Sequence, residues 1–533
     1  MREKNKYGQY FTEGVVADFM VSLISHDRNA SVLEPSCGKG IFLEMLDKYG
    51  FRNSLAYEID AGLAHEFPQV KYQSFISSPI DERFDVVVGN PPYIRWKNLE
   101  QELKDELQGS VLWNRYFNSL CDYLFIFILK SIEQLNDGGE LIFICSDYWM
   151  NTTHSQSLRN YMCQNGHFES IYHFKEAPLF EKVSASFVIF KYIKNKERKQ
   201  NITLHSYNKK GRPDKDELMR GTCFDTKQIP QFQPNQRWLL ATEFEQRQLV
   251  DFETACVRQQ GLFDVQLHRL GDFCDIGNGM VSGLDAAFKV SREEQMMFNE
   301  AERQCLIHVL KAKNLEQYNY TSTETYIYMP NNISKEDFVS TYPHFVSHFK
   351  SFVDDLKKRY SYGRNIPYWE FAFPRSKNLF EKRKPKIFIP CKERISHKNY
   401  FRFCFSPEGY YPLQDVTGII LKDKCRESIE YILAYLNNER VFNWLKYNGI
   451  VKGAIVEFSE APIASIPFLV IDWNDERQVM LHEAITSETR MYLEDKDNTH
   501  QNKINELFDT LFYEKSRLQF PSQGDERRVG RTA

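Results

Sequence analysis

A chain of 533 residues, 42% hydrophobic and 26% charged, has the composition of an ordinary globular protein with an ample core and roughly two to four domains. No apolar run approaches the roughly 18 residues of a membrane helix and the amino terminus is polar and charged, so neither a span nor a secretory signal is expected, and the cytoplasm is the expected compartment. A net charge of −4 rules out uniform attraction to a polyanion, and eleven scattered cysteines without Cys-x-x-Cys spacing argue for reduced thiols and against a structural metal site.

In chain order, Ser31-Val32-Leu33-Glu34-Pro35-Ser36-Cys37-Gly38-Lys39-Gly40 reads as a strand entering a glycine-bearing turn, and 41–49 then has helical apolar spacing. Backbone can approach a ligand closely at such a turn, but the glycines do not follow the dinucleotide fingerprint and no phosphate-gripping Gly-Lys-Ser/Thr follows. The turn is a nucleoside-binding candidate. Cys37 has no neighbouring base to activate it and reads as a small loop residue. Leu55-Ala56-Tyr57-Glu58-Ile59-Asp60 is a second strand ending in an acid about twenty residues on, where a carboxylate can accept from ribose hydroxyls. A solvated acid at a strand end is the plainer alternative for Glu58 alone.

A third strand, Phe84-Asp85-Val86-Val87-Val88-Gly89, runs into Asn90-Pro91-Pro92-Tyr93. Open α/β sheets bind ligands at the carboxyl ends of their strands. The Asn90 side-chain oxygen and the Pro91 carbonyl can together accept two hydrogen bonds from one planar NH2 group, with Tyr93 stacked on the ring that bears it. Alone the tetrapeptide is equally a turn. Glycine turn, acidic strand end and Asn-Pro-Pro-Tyr in that order are far more specific than any one of them.

Strands near Val32, Leu55, Val86, Leu141, Ile171 and Phe187 predict a mostly parallel sheet within residues 1–245, and 244–259 reads as a connecting helix. Leu270-Gly271-Asp272-Phe273-Cys274-Asp275-Ile276-Gly277-Asn278-Gly279-Met280 opens a glycine- and strand-rich region. Within it, 361–400 carries ten Lys/Arg against three Glu, interleaved with eight aromatics. Such a stretch can release counterions from DNA phosphates and stack on bases; residue by residue, aromatics in a core with a solvated basic rim is the stronger alternative. From 475 to 518 the pattern is charged and helical, and 521–533 reads as disordered.

These motifs resemble those of S-adenosylmethionine-dependent amino-methyltransferases, most closely the TaqI-type (gamma-class) adenine-N6 DNA methyltransferases of type II restriction-modification systems. Tyr10-Phe11-Thr12 with Val16 to Val21 is similar to the family's amino-terminal cofactor motif, Leu33 to Gly40 to its cofactor loop, Tyr57 to Asp60 to its ribose acid and Asn90 to Tyr93 to its catalytic motif. The segments 122–132 and 138–143 resemble the helix and strand that follow, and 180–185 the aromatic motif beside the target base. Two departures are visible: Ser74, in Tyr72-Gln73-Ser74-Phe75, stands where the family usually carries an Asp that bonds the cofactor adenine, and the spacing from Phe180 to Val183 is short.

The resemblance implies an α/β, Rossmann-like methyltransferase domain with a mixed, mostly parallel sheet over 1–245, and a connecting helix over 246–265. An α+β target-recognition domain over 266–472, a helical segment over 473–520 and a tail over 521–533 complete the expected organisation. It implies S-adenosylmethionine as cofactor, held by Thr12, Glu34, Pro35, Ser36, Cys37, Gly38, Glu58, Ile59, Ser74, Phe75, Pro92 and Phe127, with catalysis by Asn90, Pro91, Tyr93 and Phe180. Double-stranded DNA is the implied partner, with Arg375, Lys377, Lys392 and Arg394 as contact candidates, no metal and no membrane. A cognate restriction endonuclease is a possible separate partner, an orphan regulatory methyltransferase the alternative. Methylation of RNA adenine or of a protein glutamine uses the same tetrapeptide, but a small protein-directed enzyme has no need of the nearly 290 residues beyond the first domain. A fused nuclease would need a further metal-binding domain, and a non-catalytic DNA-binding protein would have no use for an intact Asn90 to Tyr93.

Overall fold

The computed structural model describes residues 10–519 apart from 64–66, 80, 181–184, 196, 198–199, 261–263, 396–397 and 453. The tail 521–533 and part of the 180–185 motif therefore lie outside the described residues. The chain forms two compact units, 1–246 with 452–454, and 247–451 with 455–533.

The first unit is built on a nine-stranded sheet. Its strands are β1 (Val32–Glu34), β2 (Ser54–Tyr57), β3 (Val70–Lys71), β4 (Phe84–Gly89), β5 (Leu135–Ser146), β6 (His167–Lys175), β7 (Phe187–Ile193), β8 (Asn201–Tyr207) and β9 (Phe224–Pro230), in the spatial order β3-β2-β1-β4-β5-β7-β6-β8-β9. From β3 to β5 every pairing is parallel; β7 then enters antiparallel between β5 and β6, and β8 lies parallel to β6. The strands predicted from the sequence are all present. The insertion of β7 ahead of β6 was not predicted.

Both sheet faces are covered, which is why the parallel strands are apolar without alternation. Val86 and Val88 of β4 pack with α1 (Gly14–Ser22) and α2 (Ile41–Tyr49) in one core, while Val87 packs with α3 (Tyr123–Glu133) in the other. On β5, Ile142 and Ile144 join the first core and Leu141 and Phe143 the second, the two-residue period of a strand read out in three dimensions. Helix α2 coincides with the predicted 41–49. Helix α1 is tied to the segment before β9 by ion pairs Glu13–Arg212 at 2.6 Å and Asp18–Lys215 at 3.1 Å.

In the second unit the helix expected over 244–259 spans only Glu243–Ala255. Val257–Gln260 is instead a strand, paired antiparallel with Asp264–Leu267, because the β-branched Val257 opens a ladder that continuing the helix would forfeit. A four-stranded antiparallel sheet follows, in the order Cys274–Asn278, Val416–Leu421, Lys386–Pro390 and Cys404–Ser406, beside a second four-stranded sheet that includes Leu306–Leu310 and Glu324–Ile327. Helices Ile429–Leu436, Glu439–Asn448, Glu476–Asp495 and Asn498–Gln519 complete an α+β arrangement. Among the described residues no helix is long and apolar enough to cross a membrane, and no three His, Cys, Asp or Glu side chains are grouped to hold a metal.

Candidate active site

The carboxyl ends of β1, β2 and β4 open onto a cavity of about 230 Å³. The turn after β1 makes its floor, and glycine is required there: Gly38 has φ +53°, and a Cβ would sit 3.4 Å from the Phe11 ring. The backbone N–H of Gly38 donates to Glu58 Oε2 and that of Asp60 to Glu58 Oε1, both at 2.8 Å, so Glu58 at the end of β2 fixes the turn while facing the cavity. Burial raises the pKa of Glu58, and these two backbone donors oppose the rise. Burial also pushes the Cys37 thiol far up, in keeping with an unreactive loop residue.

Glu34 is the anomaly of the site. It is 1% exposed, it lines the cavity, and among the described residues neither of its carboxylate oxygens has a hydrogen-bond partner. Burial, and then the nearby Glu58 carboxylate, hold its pKa well above the ordinary range. A buried carboxylate without donors is costly unless a cation or donor arrives to satisfy it.

On the opposite wall Phe75 and Phe127 meet at 5.4 Å. The loop bearing Ser74 and Phe75 is held from behind by Lys130, which is 2% exposed and donates to the carbonyls of Phe75 (2.6 Å), Ile76 (2.8 Å) and Ser78 (2.6 Å). Desolvation lowers the Lys130 pKa to about 8. Lys130 was not among the expected site residues, although a lysine within the largely apolar run 123–132 was its signal.

At the mouth, after β4, the Asn90 amide is oriented on both sides. Its Nδ2 donates to the Tyr10 carbonyl at 2.7 Å and to Thr12 Oγ1 at 3.1 Å, which turns Oδ1 the other way, toward the Tyr93 hydroxyl. That hydroxyl also reaches the Ile144 carbonyl at 2.6 Å, and its one proton serves one acceptor at a time. Burial keeps the phenol protonated by raising its pKa. The Tyr93 ring is stacked with Tyr10 at 6.1 Å and 25°, and lies 6.2 Å from Phe187; Phe180, buried, touches Tyr10 edge-on at 6.4 Å and Phe187 at 4.7 Å.

The structure thus brings together at one cavity Thr12, Glu34, Pro35, Ser36, Cys37, Gly38, Glu58, Ile59, Ser74, Phe75, Pro92 and Phe127 with Asn90 and Pro91, and sets Tyr93 and Phe180 in an aromatic cluster beside it. Tyr10 and Phe11, from the expected amino-terminal cofactor motif, also line the cavity, as does Tyr123, which was not among the expected site residues. The four cations expected at DNA fall in two places in the second unit, Arg375 and Lys377 at the start of the short helix Lys377–Phe380 and Lys392 and Arg394 on a strand. Arg375 lies 5.5 Å from the Phe373 ring centroid, and Lys377 forms an ion pair with Glu381 at 3.6 Å. Lys392 and Arg394 project from the exposed side of strand Lys392–Arg394, with Glu393 turned inward.

Residues 42–180 match a family described as Eco57I restriction-modification methylase. Over 509 residues the chain is 43% identical to the type II methyltransferase M.HindII of Haemophilus influenzae, covering 94% of this chain and 97% of that protein. Identity to the type II methyltransferase M.HincII, also of Haemophilus influenzae, is 41% with the same coverage. The fold resembles that of the type IIL restriction-modification enzyme MmeI, solved in complex with DNA, with TM-score 0.57 at 11% identity, covering 96% of this chain and 74% of that one.

Proposed function

Because this chain belongs to the type II DNA methyltransferases of restriction-modification systems, we propose that it methylates the N6 amine of an adenine turned out of duplex DNA, using S-adenosylmethionine. The observation that carries this reading is the Asn90 amide, locked by Tyr10 and Thr12 at the rim of a cavity whose wall holds the unpartnered Glu34. Glu34 would accept the ammonium of the cofactor's methionine part, Glu58 the ribose hydroxyls, and the Phe75 and Phe127 rings would flank the cofactor adenine. Bound there, S-adenosylmethionine supplies a methyl group activated by its sulfonium.

The chain's own task is then positioning. Asn90 Oδ1 and the Pro91 carbonyl accept the two N6 hydrogens, which favours a pyramidal nitrogen and localises its lone pair. No general base is needed before attack. N6 in a duplex faces the pairing partner, so the base must leave the stack at a cost of a few kcal/mol, offset by stacking on Tyr93. An entering base would take the place of the Tyr10 ring against Tyr93. Sequence reading and grip on the duplex fall to the second unit, and protection of DNA from a cognate endonuclease is the cellular role, in the cytoplasm.

Tritium transfer from labelled cofactor to duplex DNA, RNA and protein offered in parallel tests the reading. Label recovered as N6-methyladenine in duplex DNA supports it; label on cytosine, in RNA or in protein overturns it. Sequencing that detects modified bases in DNA from expressing cells then reports the recognised motif.

Substitutions at two residues probe separate parts of the site. Glu58→Ala is expected to weaken cofactor binding by about 1.5–3 kcal/mol, the scale of hydrogen bonds to a charged group, with turnover at saturating cofactor reduced less. Calorimetric titration showing unchanged affinity would move the ribose contact elsewhere. Tyr93→Phe keeps the ring and loses one hydrogen bond to Asn90 or Ile144, so most activity should remain, whereas Tyr93→Ala removes a stacking surface worth roughly 1–3 kcal/mol per base. With 2-aminopurine at the target position, binding should raise fluorescence; no rise would end the base-extrusion model.

A further inference from the structure

Half of the eight aromatics in the basic stretch are core: Trp369, Phe371, Phe380 and Phe388 are buried. Three rings around them are not. Tyr360 is 74% exposed, Tyr362 38% and Phe373 37%, and they form a continuous row, with Tyr360 and Tyr362 at 4.6 Å and Tyr362 and Phe373 at 5.1 Å. Two guanidiniums flank it, those of Arg364 and Arg375 lying 5.3 and 5.5 Å from the Phe373 ring centroid.

This row is held rigidly. Phe373 exchanges two 2.9 Å backbone hydrogen bonds with Val281, and the Arg359 guanidinium ties the carbonyls of Ser282, Pro367 and Glu370 together at 2.7–2.9 Å. Arg364 Nη2 donates to the Ala372 carbonyl at 2.6 Å. At the tip, the Arg364 N–H donates to the Ser361 carbonyl at 3.1 Å across a tight turn whose central residues, Tyr362 and Gly363, have φ of +56° and +71°. Positive φ is strained for a bulky side chain, and strain of this kind persists where the surroundings impose it. The surroundings here hold the Tyr362 ring at the surface, 38% exposed, between Tyr360 and Phe373.

Resting on the DNA-methyltransferase reading, we propose that Tyr360, Tyr362, Arg364, Phe373 and Arg375 form a duplex-DNA contact face, the guanidiniums meeting phosphates and the exposed rings stacking on a base at an opened step. Charge selects this occupant. From Lys357 to Lys384 there are nine Lys/Arg against two Glu; Lys357, Lys377, Lys382 and Lys384 are paired with Asp354, Glu381, Asp275 and Asp423, but the guanidiniums of Arg364 and Arg375 stand on the aromatic row itself, and a polyanion that also offers flat rings is a nucleic acid. An Arg–aromatic pair is itself a stacking platform, since guanidinium and ring present parallel planar surfaces.

The test uses the full chain and a duplex carrying the motif that it methylates. Photocrosslinking wild-type protein to that duplex with 5-iodouracil in place of thymine should yield adducts in the peptides holding Tyr360, Tyr362 or Phe373; adducts confined to other peptides overturn the proposal. The triple variant Y360A/Y362A/F373A should raise KM for DNA about tenfold or more while cofactor affinity and thermal midpoint stay unchanged. R364Q and R375Q should each lower the slope of log affinity against log salt by about one. Unchanged KM and slope also overturn the proposal, and should the triple variant not fold, the crosslinks decide. A wild-type protein that labels RNA or protein but not DNA would instead defeat the functional reading itself.

Discussion

Asn90→Ala is expected to abolish methyl transfer while leaving cofactor binding largely intact. The amide touches the reacting amine in the proposed chemistry, while most of the cofactor-facing wall is held independently of it: Thr12 loses one hydrogen bond, but the turn at Gly38 is fixed by Glu58 and the Phe75 loop by Lys130. Turnover should fall at least about a hundredfold, the scale for removing one preorganised polar group at a reacting centre. Thr12→Val, which deletes one of the two acceptors holding the amide, should cost less, because the Tyr10 carbonyl still orients it. Single-turnover kinetics beside calorimetric cofactor titration separate the two effects. Full activity in Asn90→Ala would remove the catalytic assignment.

Glu34→Gln is expected to have the largest effect on cofactor binding, about 3–5 kcal/mol, the cost of leaving one member of a buried ion pair alone. The same change should stabilise the cofactor-free protein, because it removes a buried carboxylate that has no donor among the described residues. The pH dependence has a definite sign. Folding raises the Glu34 pKa, so the folded state binds the extra proton: the stability this residue contributes is fully present below the unfolded carboxylate pKa and is lost as pH rises through the folded value. An arriving cation favours the ionised form, so cofactor affinity should strengthen with rising pH over the same interval, with proton release, and Glu34→Gln should flatten both dependences. Titrations in buffers of different ionisation enthalpy count the protons. Unchanged affinity in the variant, or no linked proton, would take Glu34 out of the cofactor site.

The parts of this protein that were legible in the sequence are those governed by local pattern. The helix over 41–49 and the strands near Val32, Leu55 and Val86 follow from periodicity and glycine placement, and the carboxyl ends of three strands, once parallel, have only one place to meet. Non-local choices were not legible. The order of β6 and β7 depends on pairing partners some forty residues away in β5, and the end of the helix at Ala255 on a hairpin formed by residues that follow it. Side-chain fate in 361–400 was likewise hidden: Trp369 and Phe373 lie four residues apart in similar company, yet one stacks on Phe338 in the core while the other is partly exposed in a surface row. Lys130 escaped notice because a pattern reading treats a lone charge in an apolar helix as noise, whereas its partners are three carbonyls on a loop some fifty residues earlier.

The grip of Tyr10 on Asn90 spans 80 residues of chain, and the helix that follows Tyr10 is tied at Glu13 and Asp18 to Arg212 and Lys215. The segment carrying Tyr10 and Thr12, with the helix after it, is therefore tied both to the Asn-Pro-Pro-Tyr turn and to the connection between β8 and β9. Linear order is thus incidental to the assembled site. A gene that encoded this segment downstream of the Asn-Pro-Pro-Tyr strand could rebuild the same constellation from the same contacts, so rearrangement by circular permutation is open to this architecture wherever the new ends fall in exposed connections.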